Sequence, residues 1–447
     1  SGIATGNNNV VLGYGAGFDM TSGADNVAIG YNAGKEITIG TYSTLVGRNA
    51  GAEMIEERLT AVGYYAGGNT TGNLNNYFGF NCGSGNTSGT NNVAFGYNAL
   101  YQPDTETHNL AIGNAALGGA IAGGEYNVAI GNNALDALTS GDDNVAIGYQ
   151  AGSALTEGLR MTAIGKYAGL ALTTAIDCTF VGETSGSAIT TGRSNCAFGK
   201  AALSNTDTEQ HNLAIGVGAL GGAINGGEYH VAVGNYTLDA VTSGDKNVAV
   251  GYAAGTLVTT GNNNTHVGYN AGDTLTTGSQ NIFIGSNVDP SGNDATYQIV
   301  IGYNIAATEN DQVIFGRPSN TVANEYDTDN AWTQSSDVRK KKNIKDAVLG
   351  LDFVNDLRPV TYEWRPNNEF PKDFAEYSEE NHMTLGVTMH GMIAQEVKAA
   401  LDKTGVDRFG GWQEDNDGCQ RLSKEMFVFP LIKAVQELSA TVTTLQQ

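Results

Sequence analysis

Cysteine is scarce: four residues, Cys82, Cys178, Cys196 and Cys419, in a chain of 447. None stands at a metal-ligand spacing, and Cys178 and Cys196 lie about one repeat apart at neighbouring phases. They should therefore face opposite sides of their strands, and no disulfide, zinc site or other metal or cofactor is expected. Proline is rarer than usual, with 7 residues beside 61 glycines. The glycines do not recur every third residue, which excludes collagen. Basic charge is also thin: 23 Lys and Arg face 46 Asp and Glu, a net charge of −23. Such an acidic chain is a poor partner for nucleic acid or an anionic membrane surface. No apolar run approaches eighteen residues, and the start has no signal-peptide pattern. The chain opens in mid-pattern at Ser1-Gly2, so a segment is expected upstream.

What is abundant is repetition. The unit reads Asn-Val-Ala-Ile-Gly-Tyr-Asn-Ala-Gly, as at residues 26–34. Aligned on its first glycine it recurs nineteen times, from Gly13 to Gly316, at spacings of 16 to 18 and a last step of 14. Self-similarity at a short fixed period means a solenoid. Val-Ala-Ile alternates like a strand, and the Gly/Asn/Thr/Ser segments between are turn chemistry. Each unit is expected to form one coil with a short strand, a tight corner, a second short strand and a turn. Val and Ile at positions −3 and −1 to the glycine are expected to line the core. Ala at −2 and the glycine would form an outer face of small residues, close enough to pack against sister chains. About nineteen coils stacked at roughly 4.8 Å would give a rod on the order of 90 Å. Period and core also resemble the β-roll heads of trimeric bacterial adhesins.

A longer order overlies the short one. Gly96 through Gly182 map onto Gly199 through Gly285 with a constant offset of 103, so a block of six coils is duplicated. Its longer turns contain His108 with Glu106, and Glu125 with Tyr126. These fit solvated polar corners better than an acid–base pair, since glycoside hydrolysis needs two carboxyls at a fixed separation. Tyr14, Tyr31, Tyr97, Tyr149, Tyr252, Tyr269 and Tyr303 follow corner glycines and are expected to stack as a ladder. Carbohydrate contact by the Tyr and Asn of these turns is the more plausible chemistry. Neither the EF-hand loop nor the calcium-binding nonapeptide occurs.

The periodicity ends at Arg317, and residues 317–335 read as a linker or distal tip. Tyr326 and Trp332 are its candidate receptor contacts, since aromatic anchors dominate binding energy. Then comes Ser336-Asp337-Val338-Arg339-Lys340-Lys341-Lys342-Asn343-Ile344. A serine can act as nucleophile if a neutral lysine takes its proton. Crowding by Arg339, Lys340 and Lys342, with partial burial, would push the Lys341 amine down towards that state. The plain alternative is a basic hinge between domains.

This stretch resembles the opening of the C-terminal intramolecular chaperone of phage endosialidases and tail fibres. Further matching pieces follow in order: residues 357–364 (Leu-Arg-Pro-Val-Thr-Tyr-Glu-Trp), 390–397 (His-Gly-Met-Ile-Ala-Gln-Glu-Val) and 430–438 (Pro-Leu-Ile-Lys-Ala-Val-Gln-Glu-Leu). The resemblance implies a domain that trimerises, guides folding of the fibre ahead of it and cuts itself off. Carried over, Ser336 is the nucleophile, Lys341 the base, and Ser335–Ser336 the peptide cleaved. Lys340 departs from the family, which usually has an apolar residue there.

The expected fold is mainly β: a trimeric β-solenoid over 1–316, a tip over 317–335, and a smaller α+β chaperone over 336–447. In the last part, residues 347–357 and 393–401 have helical spacing, and 359–364 and 384–392 read as strands. Leu431, Val435, Leu438, Val442 and Leu445 step 4-3-4-3, the a/d seam of a coiled coil. The expected role is the distal, host-receptor-binding part of a phage tail fibre, assembled in the host cytoplasm and carried on the virion tail. Its partners would be two sister chains, an upstream fibre segment and a surface receptor, most simply a glycan. A polysaccharide-degrading tailspike would need a carboxylate pair, and a trimeric bacterial adhesin a membrane-spanning C-terminal barrel.

Overall fold

Coil after coil, the repeat folds as one stack of parallel strands in a computed structural model of the chain. The structure describes residues 6–54, 58–326, 338–374, 376–381, 383 and 385–446. The chain divides into two compact units, Ser1–Ser335 and Ser336–Gln447.

In the first unit, nineteen strands pair in parallel with their sequence neighbours, making eighteen turns of a β-solenoid. Numbered along the chain, they run from β1 (Val10–Leu12) and β2 (Val27–Ile29) to β17 (Ile282–Asp289), β18 (Ile299–Ala306) and β19 (Gln312–Arg317). Register follows the repeat, with Val10 opposite Val27 and Leu12 opposite Ile29. The corner glycines explain themselves. Gly30 has φ +137°, and a Cβ there would lie 2.4 Å from the carbonyl oxygen of Gly47 in the next coil. Only glycine meets both conditions.

The inside and outside of the strand are reversed from the sequence expectation. Ala at −2 is fully buried at Ala28, Ala61, Ala94, Ala129, Ala146 and Ala163. Val and Ile at −3 and −1 point outward, and Ile112, Ile164 and Val250 remain exposed. Seventeen residues close too tight a loop to hold two rows of branched side chains. The interior instead takes Ala at −2, Ala at +3 and one larger residue such as Ile37, Leu155 or Leu172 at +7. In four units where a large residue replaces the −2 alanine (Leu45, Tyr77, Phe180, His266), position +4 is glycine, whereas in the lengthened β17 Phe283 has Asp289 there. A Cβ at Gly51, Gly83, Gly186 or Gly272 would lie 2.3–2.8 Å from that side chain. Elsewhere +4 can be a buried Leu, as at Leu100, Leu117 and Leu135. The two positions share one volume, as close packing requires.

The expected second strand per coil is also absent from most coils. The return path is a run of turns with left-handed residues at +2 and +4, such as Asn32 (φ 53°) and Gly34 (φ 53°). Hydrogen bonding between coils continues there without strand geometry, Gly34 N–H donating to Ala50 C=O at 2.9 Å. Longer strands appear only near the end, in β17 and β18.

Position −4, the asparagine that opens each unit, forms a buried ladder. Asn127 Oδ1 accepts the Asn144 N–H at 3.0 Å, and Asn144 Oδ1 accepts the Met161 N–H at 3.0 Å. Each Nδ2 reaches the following turn, as Asn144 does to Gly158 C=O at 2.8 Å. Leu59, Met161 and Cys178 interrupt the ladder, and Cys178 is buried there while Cys196 at −3 is partly exposed.

Residues 317–326 are less irregular than the sequence implied. A two-residue turn at Pro318-Ser319 folds β20 (Asn320–Glu325) back antiparallel on β19, covering the last parallel edge. An uncovered edge would offer its backbone groups to other chains.

The second unit is a small α+β body. Helix α1 (Leu351–Asp356) is followed by β21 (Val360–Tyr362), which pairs antiparallel with β22 (Met389–Gly391). Helix α2 (Ala394–Thr404) ends at Gly405 in the left-handed conformation, and β23 (Trp412–Glu414) pairs with β24 (Gln420–Leu422). Helix α3 (Val428–Leu445) closes the chain. Its core is Leu349, Phe353, Val397, Ala400 and Leu401, with Phe409, Trp412 and Phe427 packed against it. Helices and strands fall where the spacing placed them; α1, β21 and β22 are shorter than their patterns, while α2 and α3 run longer.

Candidate functional site

The terminal helix α3 is held on one side only. Glu437 Oε2 accepts the Leu351 N–H at 2.7 Å, so a carboxylate of α3 satisfies a free amide at the start of α1. Gly350 leaves the room for it, since a Cβ there would lie 2.3 Å from the carboxylate. Ala434 and Pro430 are buried on this side. The neighbouring stripe is the a/d seam, with Leu431, Val435, Leu438, Val442 and Leu445 all 44–82% exposed. Val428, Phe429 and Ile432 extend it. An apolar stripe of this length on one helix is a surface for another helix.

At the junction, Ser335, Ser336 and Trp332 lie outside the described residues. Lys341 is exposed and follows a 3₁₀ turn, Val338–Lys340, donating its backbone N–H to Val338 C=O at 3.1 Å. Tyr326 stands just after β20, 46% exposed, with its hydroxyl donating to the Tyr297 carbonyl and its N–H to Asp311 C=O at 3.1 Å. Tyr326 thus closes the end of the stack while leaving much of its ring open.

The polar turns of the duplicated block are structural. Buried Glu106 accepts the N–H groups of Asp104 (2.6 Å), Thr105 (3.0 Å) and Gly123 (2.8 Å). Glu209 repeats this with Asp207, Thr208 and Gly226, at 2.8, 3.0 and 2.8 Å. His108 stacks on Tyr126 at 4.8 Å and His211 on Tyr229 at 5.0 Å. Both oxygens of each glutamate thus accept backbone N–H groups of the turns. The corner tyrosines stack in runs: Tyr14 on Tyr31 at 5.4 Å and Tyr252 on Tyr269 at 5.5 Å. Arg48 breaks the first run, lying 5.4 Å from the Tyr31 ring and 5.9 Å from Tyr64.

Sequence reading passed over the asparagine ladder, although its signal was present in the asparagine that opens most units. Also unforeseen are two titratable groups with shifted pKa values, His266 in the interior and Asp289 half-buried. His266 is fully buried with Nδ1 3.1 Å from Ala271 C=O, and burial pulls its pKa down to about 4. Asp289, beside Asp273, is pushed up to about 6 by burial first and then by the neighbouring charge. Among the described residues, no group of three or more His, Cys, Asp or Glu could hold a metal ion, and no helix is long and apolar enough to cross a membrane.

These features define a β-solenoid fibre followed by a small α+β folding unit with an open helical seam. Residues 336–406 match the family described as the chaperone of endosialidase, so the second unit carries that intramolecular-chaperone domain. The match begins at Ser336 and includes two of the three later sequence blocks; the block at 430–438 lies beyond it. No curated protein and no solved structure matches the chain.

Proposed function

We propose that this chain is the distal part of a homotrimeric phage tail fibre, with a host-surface glycan as its receptor. Residues 1–316 form the fibre, 317–335 its tip, and 336–447 a chaperone that registers three chains and then cleaves itself off at Ser335–Ser336. The observation that carries the reading is the exposed a/d seam of α3 directly after a domain of the chaperone family. Three such helices would bury one another's seams, and the outward Val and Ile of the solenoid supply a matching stripe along the fibre. Register is the hazard in a fibre of near-identical coils, because a slip of one coil replaces most contacts with equivalents. A terminal clasp removes much of the loop-closure entropy of aligning the chains. Ser336 Oγ would attack the carbonyl of Ser335, its proton passing to Lys341 and on to the departing Ser336 nitrogen as the Ser335–Ser336 C–N bond breaks; water would then hydrolyse the resulting ester, and loss of the clasp would leave the fibre kinetically trapped.

Denaturing-gel mass analysis of the full chain beside Ser336→Ala and Lys341→Ala tests the cleavage. Shortening near residue 335 in wild type alone supports the dyad; an intact wild-type chain overturns it. Light scattering tests assembly: a stable monomer of wild type would sink the trimer.

A further inference from the structure

The fourth to sixth coils combine two departures from the repeat on their corner face. Coil four carries Tyr65 at the usual Asn position, as coils ten and fourteen do with Tyr167 and Tyr236, and coil six carries Tyr101 and Gln102 where its duplicate has Ser204 and Asn205. Together they open a groove of about 470 Å³, lined by Tyr64, Tyr65, Phe80, Tyr101, Asn81 and Gln102, with Asn69, Ser84 and Gly85 completing it. That volume falls within the range of small-ligand sites.

One wall is aromatic and rigid. Tyr64 stacks on Phe80 at 4.8 Å and Phe80 on Tyr97 at 5.3 Å. Tyr65 is set in place by two devices. Its hydroxyl donates to Asn69 Oδ1 at 3.0 Å, and Gly68 lies beneath the ring, where a Cβ would come within 2.6 Å. The polar groups converging on the same space are uncharged. The side-chain amides of Asn81 and Gln102 and the hydroxyls of Tyr64 and Tyr101 make no hydrogen bond among the described residues, and no Asp, Glu, Lys or Arg lines the groove. Amides that both donate and accept, beside flat apolar rings, suit a ligand with hydroxyls on its edge and C–H groups on its face. Arg48 lies 5.9 Å from the Tyr64 ring but does not line the groove, so a phosphate or carboxylate ligand would meet no cation within it.

We propose that this groove is a binding subsite for a neutral saccharide, one or two pyranose units stacking on the aromatic wall with hydroxyls paired to Asn81 and Gln102. It is a lateral site separate from the tip at Tyr326, and it does not rest on cleavage or on the tip reading.

The test is binding of the full chain to an immobilised panel of oligosaccharides: chitohexaose, maltohexaose, cellohexaose, a β-1,3-glucan hexamer, a rhamnose-containing tetrasaccharide and, as an anionic arm, sialic acid oligomers. Wild type should retain at least one neutral member. Tyr65→Ala and Tyr101→Ala should each weaken that binding tenfold or more, and Gln102→Ala about fivefold, while Leu257→Ala, at an exposed position on a distant coil, leaves it unchanged. Light scattering of the same variants should show the wild-type assembly. Retention of none of the neutral members, or only of the anionic arm, overturns the proposal. So does wild-type binding by the groove variants. Loss of binding in Tyr326→Ala alone would instead place recognition at the tip. A groove variant that fails to assemble would make the groove a contact between chains, which also overturns the saccharide reading. Tyr65→Phe then separates polarity from shape, since it keeps the ring and should retain most of the binding.

Discussion

Replacing Asn144 by leucine tests whether the buried amide ladder holds the solenoid together. The change keeps size but removes both polar ends of the side chain. It strands the Met161 N–H, which lies 3.0 Å from Oδ1, and the Gly158 carbonyl, 2.8 Å from Nδ2. Asn127 Oδ1 keeps one of its two donors, the Asn144 backbone N–H at 3.0 Å. Each stranded buried group costs about 1–3 kcal/mol. Burying a leucine returns roughly 1.5–3 kcal/mol. The expected net loss is about 2 kcal/mol, borne locally because each coil contacts only its neighbours. Hydrogen exchange at the Met161 amide is the sharpest assay, since about 2 kcal/mol corresponds to roughly 30-fold faster opening. The control is Asn132→Ala, which removes an exposed hydrogen bond of 3.0 Å from Asn114 and should change stability by no more than about 0.5 kcal/mol. If Asn144→Leu melts like wild type and Met161 keeps its protection, the ladder is not what the coil depends on. Leu59 already occupies this position in another coil, so that outcome has a concrete alternative: apolar filling suffices.

Shared interior volume predicts that Gly186→Leu alone unfolds or strongly destabilises the fibre, by about 2 kcal/mol or more from overpacking against Phe180. Phe180→Ala with Gly186→Leu should recover most of the loss, because Ala129 and Leu135 show that the Ala and Leu combination fits the coil; equal melting of single and double variants would refute the coupling. The His266 pKa is lowered by folding to about 4 from 6.5. Stability from this group is therefore full above pH 6.5 and declines as pH falls towards 4, by about 3 kcal/mol in all. Denaturation of His266→Ala should lack that part of the pH slope, and an unchanged slope would count against a neutral buried imidazole. Asp289 has the opposite sense: its folded pKa is raised, so it favours the fold only when protonated. Asp289→Asn should stabilise by about 1 kcal/mol at pH 7, after discounting for solvent, and by nothing below pH 4, as read from melting temperatures. Val435→Asp, on the exposed seam of α3, should leave the second unit folded by circular dichroism but abolish assembly; normal trimers would show that the seam is not the contact.

Periodicity alone determined that the chain is a solenoid, how many coils it has, and where it stops. Each coil is one local unit that recurs, so its count needs no three-dimensional information. The 4-3-4-3 seam and the composition change at Ser336 were legible for the same local reason. Which face of Val-Ala-Ile turns inward was not legible, because strict alternation is satisfied equally by either choice. Only the width of the closed coil decided it, admitting Ala28 and excluding Val27 and Ile29. The second strand failed likewise, since left-handed Asn32 and Gly34 bend the return path into turns. The asparagine ladder and the groove between Tyr65 and Tyr101 join residues of different coils, and stacking alone brings them together.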